Sequence, residues 1–248
     1  FNFSNYYHQK RLSMSDYVPD TVVKFPKYRE FKTLESAETW FKKIGTEISY
    51  EPMVWTDELG THKRGRKASK RKALSTANRI AVELIRLRKL YPNMPNNMKT
   101  LYLIDTSHRS ASGFVLHRTG LTVGVDDISD HTERNNSYRD KWGFYYNAWS
   151  GSIEDVFRHE ITHTLENTNL YEVAKNLVEK YYFEMIAKIG YYSTLPYYYT
   201  DDMSVFEYRE TIAELSVVVN QPDYVPGTLP REWENLVYRV FRQYMWIK

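Results

Sequence analysis

The chain of 248 residues contains no cysteine, so disulfides and thiolate metal ligands are excluded, and any bound metal must be held by His, Asp or Glu. It also lacks any run near the roughly 18–20 consecutive apolar residues that a membrane helix needs, so no membrane span is expected and the chain reads as soluble. There is no internal repeat and no low-complexity tract. The first residue is Phe1 instead of Met, the start expected of a processed or truncated product. Absence of cysteine suits an intracellular or viral protein and a secreted one alike.

What is present describes an ordinary globular protein: 42% hydrophobic and 26% charged residues, with 22 tyrosines as an aromatic excess. The length suits one main domain with a smaller appendage. Net charge is only +3, but it is unevenly spread. Between His62 and Tyr91 stand eleven Lys and Arg residues against Glu83 alone, so a basic element is set beside an acidic remainder.

Residues 1–30 are Tyr-rich, broken by Pro19 and Pro26, and read as an extended arm. "FKTLESAETWFKKIG" (31–45) carries Thr33 as a cap, early Glu, late Lys and Gly45 as a stop, which predicts a short amphipathic helix. Residues 46–65 read as strand and loop. From about Ala68 to Tyr91, Leu74, Ala77, Ile80, Ala81, Leu84 and Leu87 recur at three- and four-residue spacing, the period of a long helix closed by Pro92. Segments 100–107, 113–118 and 121–127 read as strands. Helices follow around 152–165, 171–189, 204–220 and 231–247, with Ser152/Asp155 and Ser204/Glu207 as capping pairs. Strands in one block and helices mostly in another give an α+β class.

Within "VFRHEITHTLEN" (156–167), His159 and His163 stand four residues apart, so on a helix both imidazoles point from one face toward one ion. Glu160 is placed to serve as a general base on water. Ile153, Phe157, Ile161 and Leu165 form an i, i+4 stripe nearly opposite the histidines. A five-residue pattern arises by chance often enough that a third ligand on another element is required before it counts as a site. "SVFEYRETIAELSVVVN" (204–220) offers one. Its main stripe is Val205, Tyr208, Ile212, Leu215 and Val219, and Glu210 and Glu214 lie one turn apart on the other side among Phe206, Ala213 and Val217. A carboxylate in such surroundings must be paired or metal-bound. We assign Glu210 as the ligand and Glu214 as the acceptor of a histidine N–H, with the reverse order also open; two glutamates paired to the basic helix are the competing structural explanation.

His159-Glu160-x-x-His163 followed by a helical Glu210-x-x-x-Glu214 resembles the gluzincin metallopeptidases. "RHEITHTLEN" with the later "EYRETIAELS" looks most like the catalytic domain of the anthrax lethal factor type, found in toxins and in bacteriophage-encoded proteins. That family's Glu-x-x-Ala-Glu helix matches "ETIAE" and maps its ligand to Glu210. The resemblance implies a zincin-like catalytic domain over residues 66–248, a small sheet preceded by a long helix, and an N-terminal part, residues 1–65, of unknown role. It further implies bound Zn2+ and a protein or peptide substrate; the location stays open, with virion-associated and secreted as the options. The family places a catalytic Tyr where Met203 stands here. Tyr197, Tyr198 or Tyr199 in the preceding loop are the substitutes, with Tyr198 preferred as the phenol facing the oxyanion.

An extended substrate is expected along a sheet edge beside the active helix. The strand preceding that helix, with Leu121, Thr122, Val123, Gly124 and Val125, is the natural edge. Residues 62–91 suit the solvated face of a helix better than a nucleic-acid site, with an acidic partner or nucleic acid as the alternative. His108, His117 and His131 stand singly and are not taken as ligands. The rival reading of the chain is a catalytically silent zincin-like module, a structural or DNA-associated protein of a bacteriophage virion.

Overall fold

The protein, as a computed structural model, is described over residues 24–106, 113–116, 120–124, 129–148, 152–198 and 206–243. The arm before residue 24 lies outside the described residues. Helix α1 (Leu34–Lys43) starts where Thr33 and Ser36 cap one another reciprocally, and Trp40 and Phe41 turn inward from it. Strand β1 (Glu47–Ser49) follows, then a hairpin of β2 (Met53–Asp57) and β3 (Gly60–Arg64), then β4 (Arg66–Lys67).

The long helix α2 (Lys70–Leu90) begins at Ser69, whose hydroxyl accepts the Lys72 amide. Its Ala77, Ile80, Ala81, Leu84 and Leu87 side is buried and its opening Lys70, Arg71 and Lys72 are exposed, as the period predicts. Strands β5 (Thr100–Asp105), β6 (Gly113–Leu116) and β7 (Gly120–Gly124) complete a main sheet of order β1-β5-β7-β6, with β4 extending the β1 side of β5. β1, β5 and β7 run parallel, and β6 runs antiparallel to β7.

The remaining helices are α3 (Ser129–Trp142), α4 (Ile153–His163), α5 (Asn169–Lys188), α6 (Arg209–Val219) and α7 (Arg231–Arg242). Between α5 and α6 come a 3-10 turn (Tyr191–Thr194) and two short paired strands, β8 (Tyr197–Tyr198) and β9 (Phe206–Glu207). The class is α+β. Among the described residues no helix is long and apolar enough to cross a membrane.

One apolar cluster ties these elements together. It includes Phe41 from α1, Leu84 from α2, Leu101 from β5, Phe157 from α4, Leu215 from α6 and Phe241 from α7. Phe41, Phe157 and Phe241 are almost completely removed from water, each contributing about 1.5–3 kcal/mol. Because β1 is a strand of the main sheet and Phe31, Trp40 and Phe41 share this cluster, packing runs across the expected boundary at residue 65.

Two expectations are corrected, and one helix that the sequence pattern leaves unmarked is added. Helix α6 opens at Arg209, with Tyr208 at the cap position and no side-chain cap bond, instead of at Ser204 with Glu207. Phe206 and Glu207 pair as strand with Tyr198 and Tyr197, and those ladder bonds take the backbone groups that a helix start needs. Segment 129–142 is a helix that "SDHTERNNSYRDKW" hides, since it carries no apolar period and few contacts demand one; His131 lies on it. Finally, β7 is an inner strand. It is paired on one side to β5 and on the other to β6, so Leu121, Thr122, Val123 and Gly124 are not an edge, and among the described residues β6 ends the sheet on that side. The reason is the order of the strands: β6 follows β5 in the chain, but β7 inserts between them. Val125 lies outside the described residues.

Candidate metal centre

Helix α4 is fixed at its start and along one side. Ser152 accepts the Asp155 amide at 3.1 Å, and Glu154 and Asp155 occupy the first turn, where acidic side chains suit the helix dipole. Ile153, Phe157, Ile161 and Leu165 pack into the core as the stripe predicts. The histidines, however, face helix α6 inside the protein: His159 is 3% exposed and Glu160 5%. Helix α6 is buried on nearly every side, through Ile212, Ala213, Leu215 and Val217, so Glu210 and Glu214 project into the same interior space.

There the predicted ligands converge. Glu210 Oε2 lies 2.9 Å from His159 Nε2 and 3.4 Å from His163 Nε2, and the two Nε2 atoms are 3.3 Å apart. Two atoms each bound at about 2.0–2.1 Å to one tetrahedral zinc lie about 3.3–3.4 Å from each other. The spacing therefore fits a single ion, and among the described residues His159, His163 and Glu210 form a group able to hold one.

The far sides of both rings are engaged by carboxylates. Glu214 Oε1 stands 3.3 Å from His159 Nδ1, and Glu166 Oε1 stands 2.8 Å from His163 Nδ1. Glu214 is itself held by the Asn147 side-chain amide at 3.1 Å and the Ala148 backbone N–H at 2.8 Å. Asn147 is anchored in turn, its backbone N–H donating to Asn135 Oδ1 at 2.8 Å. Glu210 and Glu214 therefore serve the histidines, and neither is spent on the basic helix α2.

This arrangement has an electrostatic consequence. An Nδ1–H directed at each carboxylate leaves each Nε2 with a lone pair aimed at Glu210 Oε2. Three lone-pair-bearing atoms at such distances repel one another unless a cation or protons lie between them. In the metal-free protein the protons serve: burial disfavours a charged His163, but Glu166 and Glu210 outweigh it and lift its pKa to about 10. His159 moves the same way, burial again being outweighed by Glu210 and Glu214. Burial likewise works against ionised Glu210, yet the two histidines hold its carboxyl well below the usual range.

Sequence spacing does not distinguish Tyr192 among the 22 tyrosines, yet its ring lies over His159, with centroids 6.3 Å apart and planes at 23°. Burial, followed by Glu210, Glu214 and Glu160, pushes its phenol pKa up, so it stays a hydrogen-bond donor. The local backbone explains the placement. Gly190 takes φ 142°, and a Cβ there would meet the Tyr146 carbonyl at 2.9 Å. This close approach lets the Tyr191 and Tyr192 amides donate to the carbonyls of Tyr145 and Tyr146 at 2.9 and 2.8 Å. Thr211 then ties the turn to α6 by donating to the Ser193 carbonyl at 2.5 Å.

Tyr198 is described through its backbone, which pairs with Phe206 four residues before Glu210; its side chain, and residues 199 and 203, lie outside the described residues. His108 and His117 also lie outside. Glu166, Asn147 and Tyr192 are contributors that spacing did not bring forward. Only Glu166 left a signal, three positions after His163, where a residue on a continuing helix faces the same way.

No family model, no curated protein and no solved structure matches this chain.

Proposed function

We propose that the chain is a zinc-dependent endopeptidase with a zincin-like fold of the gluzincin kind, in which His159, His163 and Glu210 would hold the metal. One observation carries the reading: three nitrogen and oxygen atoms meet at 2.9–3.4 Å with both outer imidazole nitrogens facing carboxylates. Such a hard-to-borderline donor set without thiolate suits zinc. Zinc held there would supply Lewis acidity for a carbonyl oxygen and a water nucleophilic near neutral pH.

The protein's own groups do the rest. Glu160, next to His159, accepts the proton of the attacking water at a carboxylate oxygen and passes it to the leaving amine nitrogen as the C–N bond breaks. The Tyr192 phenol donates a hydrogen bond to the carbonyl oxygen as it gains charge, with the Tyr198 phenol expected from the sequence as the alternative donor. An extended peptide adds its main chain to β6, the strand that ends the sheet next to β7, both of which pack against α4.

Metal analysis of protein purified without added metal tests the reading: about one equivalent of zinc is expected, and under about a tenth, unrecovered on zinc addition, sinks it. Glu160→Gln keeps the metal and abolishes cleavage of a peptide library, whereas His163→Ala loses both.

The second reading is a catalytically silent zincin-like module that contacts nucleic acid through its basic segment. Burial of Glu160 at 5% favours it, because substrate has to reach that carboxylate, and the exposed Lys70, Arg71 and Lys72 supply a basic surface. Wild type that binds zinc but cleaves nothing, and binds DNA in a salt-sensitive way lost when these three are neutralised, supports this reading over the first.

A further inference from the structure

Helix α4 stops at His163, and the chain then makes a tight turn through Thr164, Leu165 and Glu166. The turn is held on several sides. Leu165 and Glu166 donate their amides to the Thr162 carbonyl at 3.0 and 3.1 Å. Two carbonyls at the end of the helix, which an α-helix leaves without internal partners, are taken by side chains from elsewhere: Asn97 donates to Thr164 at 3.0 Å and Gln243 to Leu165 at 2.6 Å. The result is that Glu166 stands under His163 with its side chain 2% exposed. One carboxylate oxygen faces His163 Nδ1 at 2.8 Å, and the other accepts the Tyr171 hydroxyl at 3.0 Å.

A carboxylate hidden this deeply is costly unless its charge is met by donors. Tyr171 is neutral, so it cannot balance the charge by itself. The His163 N–H gives the stronger, shorter bond, and it becomes more acidic when the opposite nitrogen gives its lone pair to a cation. Glu166 and a metal at Nε2 thus favour each other across one ring.

We propose that Glu166 is a positioning residue of the metal centre, holding His163 in the Nδ1–H tautomer with its Nε2 lone pair aimed at Glu210 Oε2, and that Tyr171 locks Glu166 in that pose. The working pattern of this chain is then His-Glu-x-x-His-x-x-Glu, with Glu214 supporting the first histidine from α6 and Glu166 supporting the second from α4's own end. This rests on the metal-centre reading above.

The test uses the full chain and zinc alone, with dissociation constants taken by chelator competition. Removing such a carboxylate weakens metal binding by about 10–100-fold. Glu166→Ala is expected near the upper end, Glu166→Gln lower because its amide oxygen still accepts the N–H without the charge, and Tyr171→Phe lowest. Cobalt substituted for zinc gives a spectrum that shifts in Glu166→Gln, which a purely structural role leaves unmoved. Variants that bind zinc as tightly as wild type overturn this proposal and leave the metal centre standing; wild type that takes up no zinc overturns both. Nitrogen NMR of zinc-loaded wild type reads the tautomer directly, without any variant having to fold. A proton on His163 Nδ1 with metal at Nε2 is expected, and metal at Nδ1 overturns the proposal.

Discussion

Glu83 Oε1 accepts a hydrogen bond from Arg158 Nη1 at 2.8 Å, with both side chains 5% exposed and the two residues 75 positions apart in the chain. Arg158 precedes His159 and also pairs with Asp155 on its own helix. Glu83 receives Arg86 as well, through Nε at 2.9 Å, and Arg86 bonds the carbonyl of Asn220, the residue closing α6. Tyr91 adds a hydroxyl bond to Asn220 Oδ1 at 2.5 Å. The helix with the histidines and the helix with Glu210 are thereby joined behind the site through α2. Two carboxylates meet two guanidinium groups, so the buried group is neutral overall.

Removing the hub should therefore cost far more than an exposed ion pair. Glu83→Ala leaves Arg158 and Arg86 short of an anion in the interior, and a loss of about 3–5 kcal/mol is expected. Urea unfolding with zinc removed measures it. A loss under about 1 kcal/mol, the range of surface pairs, would show that water reaches this network.

The metal-free protein should lose stability on the alkaline side. The His163 pKa, about 10, lies above its ordinary 6.5. Its imidazolium therefore contributes stability that is fully present below about pH 6.5 and is lost as pH rises through about 10. His159 is raised likewise and acts in the same direction. Zinc needs both rings neutral with Nε2 free of its proton, so a bound zinc would contribute more over that window. Melting temperature against pH, with zinc and with chelator, should give curves that diverge as pH rises; parallel curves contradict the prediction.

Tyr192→Phe keeps a ring over His159 but removes the donor. Loss of one oxyanion donor costs about 100–1000-fold in kcat. Zinc content and melting temperature should stay near wild type, and Tyr198→Phe should cost less. If Tyr198→Phe shows the larger loss, the phenol comes from the loop at 197–199.

Helical spacing makes the candidate metal set legible because it needs no tertiary information: His159 and His163 share a face by periodicity, and Glu210 and Glu214 stand out as carboxylates on a largely apolar helix. The outer shell was not legible for the opposite reason. Asn147 and Ala148 reach Glu214 from a loop whose position depends on how Gly190 lets the 190–192 backbone approach it, and no local pattern encodes that contact. Tyr192 was lost among many tyrosines because its role comes from stacking on His159, not from distance along the chain. The strands at 100–105, 113–116 and 120–124 are legible in the sequence, whereas the short β8–β9 pair and the order of the strands are not. Alternation marks a strand, but whether β6 or β7 ends the sheet is decided by pairing between segments.

Asn147 gives the sharpest check on the Glu214 side of the site. Its amide nitrogen donates to Glu214 Oε1 at 3.1 Å, inside a region where both residues are 5% exposed or less. Asn147→Asp changes almost nothing in shape, yet it replaces a donor with a second carboxylate. Two buried carboxylates at this distance cannot both ionise without a large cost, so one pKa must rise. When that carboxyl is protonated it can donate as the amide did, and the defect is small. As pH rises through its raised pKa the proton is lost and the two charges repel. The melting temperature of Asn147→Asp, subtracted from wild type in chelator, should therefore show a deficit that grows between about pH 5 and about pH 8. A deficit that is constant across this range would mean that the Asn147 side chain does not donate to Glu214 in solution, and His159 would then be held by some other means.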